Sequence, residues 1–456
     1  MYIGWGIRGN VMIDSLKEYL SFAEAKGWVL RIADAVERED IPLLIERLDC
    51  NKKILLFTNV RGYRCGLVAN LVPSHDVFCH LLGTDDPYRA FSERSKRLEP
   101  RVLSVEGDLE KIDMNGKDLL EVLPVLKHYE GDSAPFITTS IISSMDPRNG
   151  IAGRGIHRME YRGGNRLGVT LLNPPLKDIR EWYQSRNESM PIVVSLGVDP
   201  VVFLSMALKA GGGVDKLDIT GGLKGEGTRV FKLGGEFEVP AGADIYLKGY
   251  VDETARKKDG PLGEISGYYM TIPETPSVIV QEVYFRPSAV YHALLPTSLE
   301  ANMYLTFVSR ANVEESLKKA YPFVSDIRFV EKTFGTSLIV RVHKGNSEKI
   351  RNVILYLLSF PVIKKVVVVD VDVNPYDLED VEWACITRCS AERDVIIVPG
   401  LQGQPIDPQG QEGYRVTKIG IDATAEGKTR EEKAVVAAGD SERIKRILEA
   451  VGGVDG

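Results

Sequence analysis

Apolar positions near the start of the chain recur with a helical period. Leu16, Tyr19, Leu20 and Ala23 fall on one face of a helix that Ser15-Leu-Lys-Glu18 opens as a capping box and Gly27 stops. Trp28–Ile32 and Ile54–Thr58 read as strands, Val60–Tyr63 as a turn, and Pro87 as the start of a helix running to about Arg97. This first α/β unit ends near the polar stretch Glu106–Lys117. From Phe136 short apolar segments alternate with Gly- and Pro-rich turns: Ile137–Ser143, Leu167–Leu172, Ile192–Leu196, Arg229–Leu233, Asp244–Tyr250 and Ser277–Arg286. That texture predicts a β-rich domain, a barrel or curved sheet, interrupted by helices at Ile179–Ser185 and Pro200–Lys209. After Ala301 helices and strands alternate. Thr336–Val342 is a strand, Ser347–Ser359 a helix ended by Phe360-Pro361, and the valine-rich Lys365–Val371 a strand buried on both faces. The fold class expected is α/β (α+β), with an N-terminal α/β domain over 1–117, a central β-rich domain over 118–300, a C-terminal α/β domain over 301–424 and a tail over 425–456. In that tail Ile444, Ile447, Leu448 and Val451 form a last apolar stripe that needs something to pack on.

Composition narrows the function only by exclusion. A chain of 456 residues, 44% hydrophobic, has room for several cores, and a net charge of −7 implies no general affinity for nucleic acid. Cys50, Cys65, Cys79, Cys385 and Cys389 are scattered and odd in number, which fits a reduced, cytoplasmic protein; none has metal-ligand spacing to a second pair. The first residues lack the basic and apolar regions of a signal peptide. No apolar run reaches about 18 residues, so no membrane span is expected. Gly221–Gly227 lacks Gly-Lys-Ser/Thr and is no P-loop, and no dinucleotide fingerprint or nucleophile elbow is present. The six histidines form no metal pair on one helix face.

Two stretches carry chemistry. Asp259-Gly-Pro-Leu-Gly-Glu264 sets two carboxylates five residues apart, and Gly260, Pro261 and Gly263 predict a tight, preset loop running into a strand at Tyr268–Ile272. Such a loop suits acid–base work, and by residue type it is equally an ordinary turn with two solvated acids. Arg154–Arg166 holds four arginines in thirteen residues: Arg154, Arg158, Arg162 and Arg166. Their guanidinium forks suit an anionic ligand, or else a charged strand edge.

Taken together with Ile54–Tyr63, Gly155-Ile-His-Arg158, Phe237–Ile245, Asp370–Asn374, Trp383–Arg388 and Gly420–Thr424, these motifs resemble, in order and over most of the chain, the UbiD-type decarboxylases that use prenylated FMN. The resemblance implies an N-terminal α/β unit, a central split β-barrel holding the flavin, and a C-terminal α/β domain that makes a homodimer or higher homo-oligomer. It implies that Arg158 holds the substrate carboxylate, that Asp259 (more often Glu in the family) orients Arg158, and that Glu264 delivers the proton. Flavin contacts are implied at Ile156, His157, Thr170, Leu171 and Leu172, with a flavin prenyltransferase as cofactor supplier. The implied substrate is an α,β-unsaturated or aromatic carboxylic acid. The specific candidate is trans-anhydromevalonate 5-phosphate, whose phosphate the extra arginines Arg154, Arg162 and Arg166 would suit. The alternatives are a 4-hydroxybenzoate-type acid of quinone biosynthesis, or a catalytically silent flavin-binding relative.

The chain departs from the family at its divalent metal. The family's Asn position is Gly153, its Glu position is Lys216 with Asp215 one residue away, and its His position falls near Asn173-Pro174. No metal ligand is expected. Lys216, with Arg154, is instead expected to pair with the cofactor phosphate, since a cation can neutralise phosphate directly.

Overall fold

The computed structural model describes residues 13–210, 213–235, 237–429, 433–434, 436 and 441–450. The chain start, where no signal peptide is expected, lies outside the described residues, as do Val451 and the Leu448 side chain of the expected apolar stripe. Ile444 and Ile447 stand exposed on the helix Ser441–Ala450.

Strands Val29–Ile32, Ile54–Phe57 and Gly66–Ala69 form the first sheet, joined at its edge by Val290–His292 from far along the chain. The helix Leu16–Ala25 packs on it through the four predicted apolar residues. Ser15 Oγ accepts from the Glu18 amide at 3.2 Å, and Glu18 Oε2 accepts from the Asp14 amide at 2.8 Å, so the capping box closes one residue further out than its usual form.

The central sheet holds nine strands, in the order Phe136–Ile137, Met159–Tyr161, Arg166–Val169, Tyr269–Phe285, Ile245–Gly263, Met190–Leu196, Ile141–Met145 and Ala152–Ile156, with Glu110–Asp113 also paired to Tyr269–Phe285. Glu110–Asp113 lies in the polar stretch read as a domain end; pairing with Glu282–Phe285 supplies its backbone partners. All these pairings are antiparallel, which lets one sheet bend on itself through register shifts such as that at Lys248/Gly249. The chain leaves one sheet edge at Ile137 and enters the other at Ile141, then crosses back between Ile156 and Met159. The curled sheet is therefore seamed by two short crossings, 138–140 and 157–158. They hold each other: the His157 amide donates to the Ser140 carbonyl at 3.1 Å, and Ser140 Oγ donates to the His157 carbonyl. Arg158 lies in this seam.

The C-terminal sheet runs Val324–Phe329, Ser337–Val342, Lys365–Asp370, Arg415–Ala423 and Val395–Gln402. Val366 and Val368 pack toward the helix Ser347–Leu358, while Val367 and Val369 pack toward the helix Leu378–Arg388, so the valine-rich strand is buried on both faces. The helix Leu299–Ala320 joins this sheet to the rest and is capped by Ser298, whose Oγ accepts from the Ala301 amide. No helix among the described residues is long and apolar enough to cross a membrane.

Candidate active site

Asp259 and Glu264 sit on one long hairpin. The structure corrects the expected loop: Asp259–Gly263 ends the strand Ile245–Gly263, and the turn lies at 264–267. The strand Tyr269–Phe285 gives this glycine- and proline-rich segment a pairing partner, and irregular register between Lys257 and Leu262 absorbs it. Gly260 takes φ +89° there, a conformation that a side chain would strain. Side chains from elsewhere tie the segment down. Glu160 Oε1 accepts from the Gly260 amide at 3.1 Å, and Asp132 Oδ1 from the Gly263 amide at 2.8 Å. Neither Glu160 nor Asp132 stood out in the sequence, because each acts on a backbone group about a hundred residues away.

The seam and the hairpin meet at Arg158. Its Nε and Nη2 donate to Asp259 Oδ1 at 2.8 and 2.5 Å, and its Nη1 donates to Glu264 Oε1 at 2.5 Å. A guanidinium has five N–H groups. Three are used, which leaves one on each Nη for a ligand. Asp259 is wholly buried behind Arg158, and its Oδ2 has no partner. Burial pushes its carboxyl above the ordinary range, and the Arg158 charge opposes that only in part.

Arg158 and Glu264 open into a cavity of about 350 Å³. Its walls are mainly apolar, including Ile156, Phe203, Leu262, Leu294 and Tyr304, and Gln404 and Ile406 reach in from the C-terminal domain. Arg158 is the one cation among the lining residues. A larger cavity of about 840 Å³ lies by His75 and Arg310, but Arg310 is spent on Glu314 and Asp326, at 2.8 and 2.9 Å. The ligand atoms of His75, Asp76 and Cys79 come within 4.8 Å of one another beside that cavity, a grouping unforeseen in the sequence.

The other expected site residues divide. His157 Nδ1 donates to the Thr170 carbonyl at 2.7 Å, and burial pushes the ring down to about 4, so it is neutral. Leu171 faces the core and Leu172 is exposed. Lys216 is buried, and its Nζ donates to the Met206 carbonyl at 2.7 Å. Arg154 departs from the expectation: it is only 1% exposed, does not line the cavity, and is turned onto Asp215 and Ser143. Nε and Nη2 donate to Asp215 at 2.7 and 3.1 Å, and Nη1 to Ser143 Oγ at 2.9 Å. Arg162 is likewise turned inward, onto Glu160, Ser277 and the carbonyls of Thr275 and Pro276, while Arg166 is exposed at a strand start. A buried guanidinium takes the carboxylate that shares its burial, so Arg154 and Arg162 are engaged within the fold.

Residues 103–299 match the 3-octaprenyl-4-hydroxybenzoate carboxy-lyase Rift-related domain, and residues 302–423 match the C-terminal domain of the same carboxy-lyases. The chain belongs to the UbiD family. It is 30% identical over 329 residues, 72% of this chain and 77% of the relative, to an anhydromevalonate phosphate decarboxylase of Methanothermobacter thermautotrophicus. Its fold is similar to that of the UbiD-class enzyme HmfF from Pelotomaculum thermopropionicum in complex with FMN (TM-score 0.85, 30% identity, 92% of this chain and 97% of that one). An evolved dimeric form of that enzyme in complex with prFMN gives a TM-score of 0.81 at 28% identity, over 92% of this chain and 97% of that one. As a UbiD carboxy-lyase this chain is a decarboxylase, with the α/β architecture that the motifs implied.

Proposed function

We propose that the chain decarboxylates an α,β-unsaturated or aromatic carboxylic acid at the Arg158–Asp259–Glu264 set with prenylated FMN. The observation that carries this is one guanidinium shared between two acids at the wall of an apolar cavity, with two N–H groups to spare. Arg158 binds the substrate carboxylate through those donors. Asp259 does not reach the cavity; it fixes the guanidinium from behind and is a positioning residue. Glu264 reaches the cavity and can hold a proton at its carboxyl for the carbon that loses carbon dioxide. An incoming carboxylate takes the free N–H of Nη1 and so sits beside Glu264.

The residues fit a flavin ring: apolar walls at Ile156 and Phe203, and a neutral His157 beside them. Prenylated FMN, when bound, supplies the electron sink that no side chain offers. The apolar walls exclude water, which strengthens the Arg158–carboxylate pair.

For the substrate, the name of the Methanothermobacter relative favours trans-anhydromevalonate 5-phosphate. A second reading, an aromatic acid without phosphate, is favoured by the cavity, where Arg158 is the one lining cation. The test is to co-express the chain with a flavin prenyltransferase, record mass and absorbance spectra, and measure carbon dioxide release from both acids. Bound prenylated FMN with turnover of either acid supports the reading. Protein that takes up no flavin and turns over neither acid refutes it in favour of a silent relative.

A further inference from the structure

Lys216 presents an electrostatic imbalance. It opens the helix Lys216–Lys224, its side chain is only 8% exposed, and its one hydrogen bond is to a neutral acceptor, the Met206 carbonyl. Among the described residues no carboxylate lies within ion-pair distance of its Nζ. Two of its three N–H donors are unused. Burial without a counter-ion pulls the ammonium down to about 8, so it is still mainly charged at neutral pH. A buried charge is ordinarily paired. An anion entering beside Lys216 would supply the missing partner and take up the two unused donors.

The position of this ammonium is informative. Met206, which accepts its hydrogen bond, precedes Ala207, a cavity residue, and its charge bears on His157, next to the cavity residue Ile156. Lys216 does not line the cavity itself; it lies behind the wall, on the Met206 carbonyl next to the lining residue Ala207.

The neighbouring residues do not fit a divalent cation. Gly153 offers no ligand atom, and a Cβ there would lie 2.5 Å from Ile179 Cδ1 and 3.1 Å from Pro175 Cγ, so hydrocarbon fills the space where a ligating side chain would stand. Asp215 carries the nearest acid in the sequence, but it is bound to Arg154 at 2.7 Å and Arg101 at 2.9 Å, and its Oδ1 also caps the helix by accepting from the Leu217 amide. Burial works against this carboxylate, and the two guanidinium groups more than offset it, which holds Asp215 below its usual range. An acid so neutralised has little to offer a cation. Asn173 and Pro174 are exposed.

We infer that Lys216 is the counter-ion of the flavin phosphate in this chain, and that the phosphate is held by the ammonium without a divalent metal. The inference rests on the reading above that the site takes a phosphate-bearing flavin. It deepens that reading by assigning the phosphate end. Lysine suits the task as a point charge with rotatable donors.

The test uses the full chain and FMN, with riboflavin as the ligand that lacks only the phosphate. Flavin fluorescence titrations are run in EDTA and again with Mn²⁺ or Mg²⁺, and metal is counted in the FMN-loaded protein. We expect the FMN Kd to be the same with and without metal, and the loaded protein to carry far less than one metal per flavin. Charge-assisted hydrogen bonds are worth about 1.5–3 kcal/mol, so Lys216→Met should weaken FMN by about 10- to 100-fold. Riboflavin should be unaffected, and Lys216→Arg should restore most of the FMN affinity. The methionine variant should melt no lower than wild type, because it removes an unpaired buried charge. Stoichiometric metal with bound FMN, release of FMN by EDTA, or equal FMN affinity of wild type and Lys216→Met overturns the inference and leaves the decarboxylase reading standing. Wild-type protein that binds neither FMN, riboflavin nor prenylated FMN removes the flavin reading and the inference with it.

Discussion

Asp259→Asn tests whether Arg158 is held from behind. The variant keeps the shape of a wholly buried side chain and removes its charge. Two of the three hydrogen bonds of Arg158 end on Asp259 Oδ1, at 2.8 and 2.5 Å. Making each neutral on the acceptor side lowers its worth by about 1–1.5 kcal/mol, or about 2–3 kcal/mol in all. Stability should change less, by about 1 kcal/mol, because burying the ionised Asp259 is itself unfavourable and Asn removes that cost. Asp259→Ala differs: it leaves Arg158 with Glu264 alone and should cost about 3–5 kcal/mol in urea unfolding. In a carbon dioxide release assay the Asn variant should lose about 30- to 100-fold in kcat/KM, since each 1.4 kcal/mol is about tenfold. The loss should fall mainly on KM. The substrate's negative charge leaves the carboxyl group as carbon dioxide forms, so the ion pair with Arg158 is strongest before the reaction. Activity within about threefold of wild type would refute the positioning role, since it would show that the guanidinium holds its place without the Asp259 charge. A fall confined to kcat would instead put Asp259 in the proton transfer.

Three further outcomes are expected. Glu264→Gln keeps the shape and a bond to Arg158 but has no proton to give. Turnover should drop by about 10²- to 10⁴-fold with an unchanged melting curve, and undiminished activity would remove Glu264 from the mechanism. His157 and His128 are both buried and held at about 4, below their unfolded value, so the unfolded chain binds more protons between pH 4 and 6.5 and stability falls as pH drops through that window. Each should account for about 2 kcal/mol between pH 7 and 5, which urea unfolding of His128→Gln compared with wild type at both pH values would read. Ile406 enters the cavity from the C-terminal domain, so Ile406→Ala should lower KM for bulkier acids in a substrate panel; an unchanged ranking would place the substrate elsewhere.

The residue pattern marked the helices and strands that bury one face or both, because Leu16–Ala23 and Lys365–Asp370 carry that burial in their own spacing. It misread Asp259–Gly263 because glycine and proline report the cost of regular structure, not the presence of a strand to pair with. It could not place Val290–His292 in the first sheet either, since that contact spans more than two hundred residues. Motif order singled out Arg158, Asp259 and Glu264, and the structure places each of the two acids within 2.8 Å of Arg158. The role of the arginine cluster was not legible. Arg154 lies in the strand Ala152–Ile156 and Arg158 four residues on, in the crossing that follows it, yet one meets Asp215 in the core and the other meets two acids at a cavity.

That difference follows from how charge is shared among the partners. Arg154 and Arg101 converge on Asp215, and Arg101 continues to Asp218 and Glu238 at 3.1 and 3.0 Å, so this network satisfies itself and has no need of a ligand. At the cavity the charges do not close. Arg158 faces two acids, one of them buried with an oxygen unpartnered, and Lys216 faces none. A substrate carboxylate would take the spare donors of Arg158, and a phosphate would complete Lys216. Arg158 lines the apolar cavity and Lys216 lies behind its wall, on Met206 next to the lining residue Ala207, so a ligand pair bearing one anion for each would satisfy both. A fold does not keep such groups for stability, because apolar replacements would be less costly. Spare donors next to a cavity, more than the density of arginines, mark the candidate site; Lys418, buried on the Leu358 and Phe360 carbonyls in the C-terminal domain, shows that a buried ammonium alone does not.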